Sequence, residues 1–126
     1  MEGKTSSSSR ERDRSERAIL DLLGLAARAG ALTTGTDRVR SAIREGKVRG
    51  VILAADTSST QQAKLRPLLA ATGVPYHVLF TREELGAALG RPPVSAVGIS
   101  DLNFARRVAQ LSATLSSLQD QRGESK

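Results

Sequence analysis

Arg38, Arg40, Arg44, Lys47 and Arg49 fall within the segment RVRSAIREGKVR, which carries Glu45 as its one acid. A run of guanidinium groups against a single carboxylate is chemistry for holding phosphates, because each guanidinium presents planar, permanently charged donors. On a helix whose buried stripe is Val39, Ala42 and Ile43, residues Arg40, Arg44 and Lys47 share one flank, and Arg38, Ser41 and Glu45 share the other. The start of such a helix adds free backbone N–H groups and the positive end of the dipole. The same charges also suit an ordinary solvated helix face, so charge alone leaves both readings open.

Other chemistries find less support. The chain has no cysteine and one histidine, His77. Thiolate metal sites, disulfides and cysteine nucleophiles are excluded, and the usual zinc ligand sets cannot be assembled from one chain. His77 sits in YHVLF, where a strand histidine is expected to be half-buried and structural. The segment VILAADTSST places Asp56 just past a strand, a position that contacts ribose in dinucleotide folds. Neither GxGxxG nor a Walker-type GxxxxGK[ST] occurs, however. Asp56, Ser58 and Thr60 are therefore read as loop and cap residues, and no cofactor and no metal are expected. No carboxylate pair suggests hydrolysis, since Asp21, Glu83 and Glu84 have no visible partner for acid-base work. Tyr76, Phe80 and Phe104 are the only aromatic residues, too few for base-stacking platforms. Any RNA would be recognised by charge and shape.

The elements that must position these residues can be read from spacing. Residues 1 to about 14 are rich in Ser and Arg and are expected to form a flexible arm. Ile19, Leu22, Leu23 and Ala26 recur at helical spacing, with Asp13 and Glu16 as a capping box and Gly30 as the stop. A short extended piece, Ala31 to Thr34, leads to a second helix with Thr36 as its N-cap and its end near Gly46. Val51 to Ala54 reads as a buried strand. Leu65, Leu68 and Leu69 mark a third helix that Pro67 should kink or begin. Tyr76 to Phe80 is a strand, and Thr81 with Glu84 caps a short helix closing at Gly90. After the stiff Arg91-Pro92-Pro93 loop, Val94 to Ile99 is a strand, and Asp101 caps a last helix that frays from about Ser116. Strands alternating with helices predict an α/β fold, a three-layer α/β/α sandwich around a single mixed sheet of about four strands, with the domain over residues 15–115.

The length of 126 residues suits one domain. With 19 Lys plus Arg against 13 Asp plus Glu the formal charge is +6, the footprint of a polyanion binder. The longest apolar run, VILAA, is far too short to cross a bilayer, and no stretch resembles a signal peptide. No long helix combines a basic face with large apolar anchors, so nucleic acid is favoured over a membrane surface. A soluble, cytoplasmic monomer is expected.

Two segments carry a resemblance: LLGLAARAGALTTGTDRVRSAIREGKVRGVILAADTSS and GVPYHVLFTREELGAALGRPPVSAVGI. They resemble the superfamily of archaeal and eukaryotic large-subunit ribosomal proteins that bind kink-turns, and especially its bacterial YlxQ-like branch. The resemblance implies that the helix opening after the glycine presents its first residues to the sheared G·A pairs of a kink-turn. That role falls on Gly35, Thr36, Asp37 and Arg38, with Ser41 one turn further along. It also implies a second contact, a loop before the last strand that packs on a flipped-out base, at Arg91, Pro92, Pro93 and Val94. Strong kink-turn binders are similar in having Asn, Glu and Lys where this chain has Asp37, Arg38 and Ser41. Asp in place of Asn lacks an amide donor and adds a negative charge, while Arg40, Arg44 and Lys47 still suit phosphates.

The leading expectation is a non-enzymatic RNA-binding protein that recognises structured, kink-turn-like RNA and is associated with the ribosome or its assembly. Ribosomal or RNA-processing proteins are further partners under this reading. The alternatives are a protein-protein interaction module of the same fold and a substrate-binding partner of an RNA-modifying enzyme.

Overall fold

Apolar runs without alternation demand cover on both faces, and the strands that contain them set the layering. The computed structural model describes the backbone of residues 2–124 and the side chains of residues 9–118. Its elements in chain order are α1 (Glu2–Arg28), β1 (Leu32–Thr34), α2 (Thr36–Arg44), β2 (Gly50–Leu53) and α3 (Ser59–Thr72). There follow β3 (Tyr76–Val78), α4 (Arg82–Leu89), β4 (Ala96–Ile99) and α5 (Leu102–Glu124). Every residue of β2 and β4 is buried. Ile52, Val97 and Ile99 face α1, α4 and α5 and join Ile19, Leu23, Leu85 and Val108 in one core. Val51, Leu53 and Ala96 face α2 and α3 and join Val39, Ile43, Leu65 and Leu69 in a second. The expected α/β/α sandwich on one mixed four-stranded sheet is the observed fold. Truncating any of these large side chains to Ala costs roughly 2–5 kcal/mol, so the two cores hold the sheet firmly beneath its loops.

The strand order is β1-β4-β2-β3. β1 and β2 both run antiparallel to β4, and β3 runs parallel to β2. The C-terminal ends of β1, β2 and β3 therefore lie at the same end of the sheet as the N-terminal end of β4. Four connections converge there: β1–α2, β2–α3, β3–α4 and α4–β4.

Local signals set most element ends. Thr81 and Glu84 form the expected capping box on α4, with Thr81 Oγ accepting from the Glu84 N–H and the Glu84 carboxylate accepting from the Thr81 N–H. Asp101 Oδ1 accepts from the N–H groups of Asn103 and Phe104 and so caps α5. Ser58 caps α3.

Four expectations are corrected. α1 starts at Glu2, so residues 2–14 continue the helix in place of a flexible arm, and Asp13 and Glu16 lie inside it rather than at its start. Here Ser15 is buried and Arg12 shares a cleft with Ser112 and Leu115 of α5, contacts that composition could not reveal. α5 likewise continues to Glu124 where a frayed tail was expected from Ser116; Met1 and residues 125–126 lie outside the described residues. Pro67 does not begin α3, which runs through it from Ser59. Pro67 and Ala63, whose carbonyl loses its donor, are both exposed, so water can serve the freed group. Finally, β3 ends at Val78, because Phe80 turns into the left-handed region at φ 65° and its carbonyl accepts from the Ala55 N–H.

Candidate nucleic-acid interface

α2 opens without a side-chain cap. Gly35 stands at its N-cap with φ 98° and ψ 144°, a conformation that only glycine adopts without strain. The Gly35 N–H donates to the Ala96 carbonyl at 2.9 Å, and its own carbonyl accepts from the Val39 N–H at 2.9 Å. Thr36, expected as the cap, is instead the first helical residue and is buried against the sheet. The first N–H groups of α2 thus have neither an intrahelical acceptor nor a capping oxygen. Such a helix end leaves N–H donors and the positive end of the dipole open to an acceptor oxygen.

The neighbouring loops are tied to one another. Asp56 Oδ1 accepts from the Arg82 N–H at 2.8 Å, and Oδ2 lies 3.5 Å from Arg82 Nε. That backbone donor, chiefly, holds the Asp56 carboxyl below its ordinary value. Thr57 Oγ donates to the Ser95 carbonyl at 3.2 Å, and the Val94 N–H donates to the Arg82 carbonyl at 3.0 Å. The Arg91–Pro93 loop lies directly on α4 because Gly86 has no Cβ there. A Cβ at that position would meet the Arg91 carbonyl oxygen at 2.7 Å and the Pro92 carbonyl as well. Sequence reasoning missed Gly86; its signal was a glycine inside a helix with no turn to explain it.

The fold brings Gly35, Thr36, Asp37 and Arg38 to the same end of the sheet as Arg91, Pro92 and Pro93. Asp37, Arg38, Arg91, Pro92 and Pro93 are exposed there. Val94 is not available for contact, since it is 7% exposed and belongs to the core. Ser41 is exposed in mid-helix and Arg40 is half-buried. Arg44 lies in the last turn of α2, at the far end of the helix. Lys47 lies beyond the helix, so it does not extend the Arg40–Arg44 flank, and it pairs with Glu45 at 3.0 Å. The basic run is therefore divided between two ends of the molecule.

Two further cations were invisible in the sequence pattern. Lys64 Nζ of α3 reaches 3.7 Å from Asp37 Oδ1, and Arg82 holds Asp56. Asp37 and Asp56 are thereby each matched by a cation, while Glu83 and Glu84 stand in the first turn of α4, Glu84 held by the Thr81 N–H. Arg38 and Arg91 have no ion-pair partner among the described residues.

Elsewhere, His77 lies half-buried on β3, as expected, and burial holds its pKa below the ordinary value of 6.5. It lines a cleft of about 320 Å³ with Arg12 and Glu16. The Glu16 carboxyl is pushed up by burial first, then by Asp13 and Glu84. Among the described residues no group of three His, Cys, Asp or Glu side chains could hold a metal ion, and no helix is long and apolar enough to cross a membrane.

Fold and site together define a small α/β/α protein that presents an uncapped helix start beside a basic, proline-stiffened loop. The chain belongs to the Ribosomal protein L7Ae/L30e/S12e/Gadd45 family, whose profile matches residues 17–109. It is 34% identical over 92 residues to the RNA-binding protein YlxQ of Enterococcus faecium, covering 73% of this chain and 88% of the relative. Among solved structures it resembles a protein of unknown function from Bacillus halodurans at TM-score 0.73 and 37% identity, over 75% of this chain and 96% of that one. A 15.5kD RNA binding protein of Giardia lamblia matches at TM-score 0.68 and 23% identity, over 83% of this chain and 90% of that one, a likeness of fold alone. The resemblance read from the sequence, to the kink-turn-binding ribosomal superfamily and its YlxQ-like branch, agrees with these matches.

Proposed function

We propose that this chain is a non-enzymatic RNA-binding protein of the bacterial cytoplasm. It takes a structured, kink-turn-like RNA on the sheet end formed by the start of α2 and the α4–β4 loop, and works in the ribosome or its assembly. The observation that carries this reading is the convergence of the uncapped α2 start at Gly35 with the Arg91–Pro93 loop, held in place through Ala96, Ser95 and Gly86. The open N–H groups and Arg38 would hold phosphate or base oxygens, and the rigid loop would support an unstacked base. Its similarity to the RNA-binding protein YlxQ supports the same reading.

The test is a gel shift of the purified protein with a simple kink-turn RNA beside a straight duplex of equal length, at two salt concentrations. Preference for the kink-turn, lost in the Arg38→Ala, Arg91→Ala double variant while circular dichroism is unchanged, is the expected result. Equal and strongly salt-dependent binding to both RNAs would replace shape recognition by simple phosphate tracking.

A second reading, a protein-interaction module, is favoured by one observation: the Asp37 side chain, 85% exposed, places a carboxylate at the site. Under it RNA affinity is feeble at physiological salt and partner capture survives nuclease. RNase-sensitive capture would remove it.

A further inference from the structure

The end of the sheet away from the α2 start is the more cationic of the two. α2 delivers Arg44 to it, the segment that follows delivers Lys47 and then Arg49 at the entry to β2, and the first turns of α5 deliver Arg106. Arg49 is fixed by its N–H, which donates to the Ile99 carbonyl at 2.7 Å. Ala105 packs on Gly50, with its Cβ 3.2 Å from where a Gly50 Cβ would stand, so the next residue of α5, Arg106, comes down beside the residue before Gly50, Arg49. Both arginines line an apolar cleft of about 100 Å³, together with Pro75, Leu102 and Ala109. Leu102 is 47% exposed at its edge.

The carboxylates in the segments that build this end are already engaged. Glu45 holds Lys47 at 3.0 Å, and Asp101 caps α5 through the Asn103 and Phe104 N–H groups. Arg44, Arg49 and Arg106 are exposed and have no ion-pair partner among the described residues. The unpaired guanidinium groups of Arg49 and Arg106, brought to one cleft from two elements, with that of Arg44 at the same sheet end, suit the repeated phosphates of a nucleic-acid backbone, each accepting two parallel donors.

We infer that this end is a second RNA-contacting surface, which binds the phosphodiester backbone of another RNA segment while the α2 end holds the first. The nine residues of α2 separate the two ends by roughly 13 Å of helix, and the ends face opposite ways, so the protein bridges two segments rather than lying along one. This extends the RNA-binding reading above, yet its surface shares no residue with the α2 start or the proline loop.

Bridging is read directly by loading the full chain onto an immobilised kink-turn RNA and then adding a labelled straight RNA duplex. Wild type retains the duplex. Arg49→Ala with Arg106→Ala loads equally on the kink-turn but retains roughly tenfold less duplex, with a log–log salt slope shallower by about two, one per lost phosphate contact. Arg49→Lys with Arg106→Lys keeps the charge and recovers part of the retention. No retention by wild type, or undiminished retention by the Ala variant, overturns the inference. Displacement by polyglutamate as readily as by unlabelled duplex also overturns it and assigns the surface to acidic protein segments. If the kink-turn RNA fails to load protein, the proposed function fails by itself. The duplex is then titrated onto free Arg38→Ala, Arg91→Ala protein, where sensitivity to the further loss of Arg49 and Arg106 supports the second surface and insensitivity removes it.

Discussion

The carboxylate of Asp37 stands 3.7 Å from the ammonium of Lys64, which α3 carries across to the start of α2. The pair neutralises a negative charge at the place where the proposed reading needs to accept phosphate. With the Asp37 side chain 85% exposed, water screens the pair and it adds little to stability.

Asp37→Asn should therefore leave the melting temperature nearly unchanged while freeing Lys64 and removing a like charge from the RNA. A unit charge a few ångströms from a phosphate in water is worth about 1 kcal/mol, so affinity for a kink-turn RNA should rise roughly fivefold at low salt and less at high salt. Titration at two salt concentrations checks this; unchanged affinity at both would mean that α2 does not meet RNA at its start.

Gly86→Ala should act on the loop rather than on helix propensity. The added methyl collides with backbone carbonyls of Arg91 and Pro92, which cannot turn aside as a side chain could. Overpacking of this kind costs about 1–3 kcal/mol and here must move the loop. Leu85→Ala, next to it and fully buried, lowers stability by a cavity instead. Both variants should melt earlier, but only Gly86→Ala should also weaken RNA binding in its folded state. Equal RNA affinity for the two would separate the loop from recognition.

Arg38→Ala and Lys47→Ala test the division of the basic run. Arg38 is free at the site end, whereas Lys47 is at the other end and paired with Glu45. Affinity for a short kink-turn RNA should fall several-fold for Arg38→Ala, about 1 kcal/mol for an exposed phosphate contact, and stay level for Lys47→Ala. The reverse order would place the RNA on the wrong end of α2.

His77 should make folding stability depend on pH. Its folded pKa is held below 6.5 by burial, so as pH falls the unfolded chain takes up the proton first. Its contribution is present in full above pH 6.5 and is lost as pH falls toward the folded value. The Asp56 carboxyl, held low, loses its contribution only as pH falls below 3.8, whereas the Glu16 carboxyl, raised from 4.5 by burial, works in the opposite sense at and above 4.5, so the comparison with His77→Gln isolates the histidine. Chemical denaturation of wild type between about pH 7 and 5 should show the loss, and His77→Gln should flatten it over that range. An unaltered slope would mean that the histidine is solvated in the folded chain.

Much of the architecture was legible because it rests on short-range signals. The box at Thr81 and Glu84, the cap at Asp101 and the apolar runs around Val51 and Val97 each act within a few residues, so spacing reveals them. The N-cap of α2 was misread for a reason of the same kind. Thr36 has the residue type of a cap, but Gly35 alone can take φ 98°, and the geometry went to backbone freedom over side-chain chemistry. The helical character of residues 2–14 escaped a composition argument because α1 packs along α5, where Arg12 shares a cleft with Ser112 and Leu115 from the other end of the chain.

The sequence by itself determined the layered α/β/α fold, the glycine-led helix and the net positive charge, since periodicity, local backbone preference and composition are properties of neighbouring residues. Only the tertiary structure decided which charges act together. Strand order put Gly35, Arg38 and the Arg91–Pro93 loop at one sheet end, packing set Lys64 against Asp37, and the axis of α2 sent Arg44 to the opposite end, where Arg49 and Arg106 share a cleft. Electrostatic contacts depend on distances of a few ångströms between residues far apart in the chain, and those distances are fixed by the sheet register and core packing.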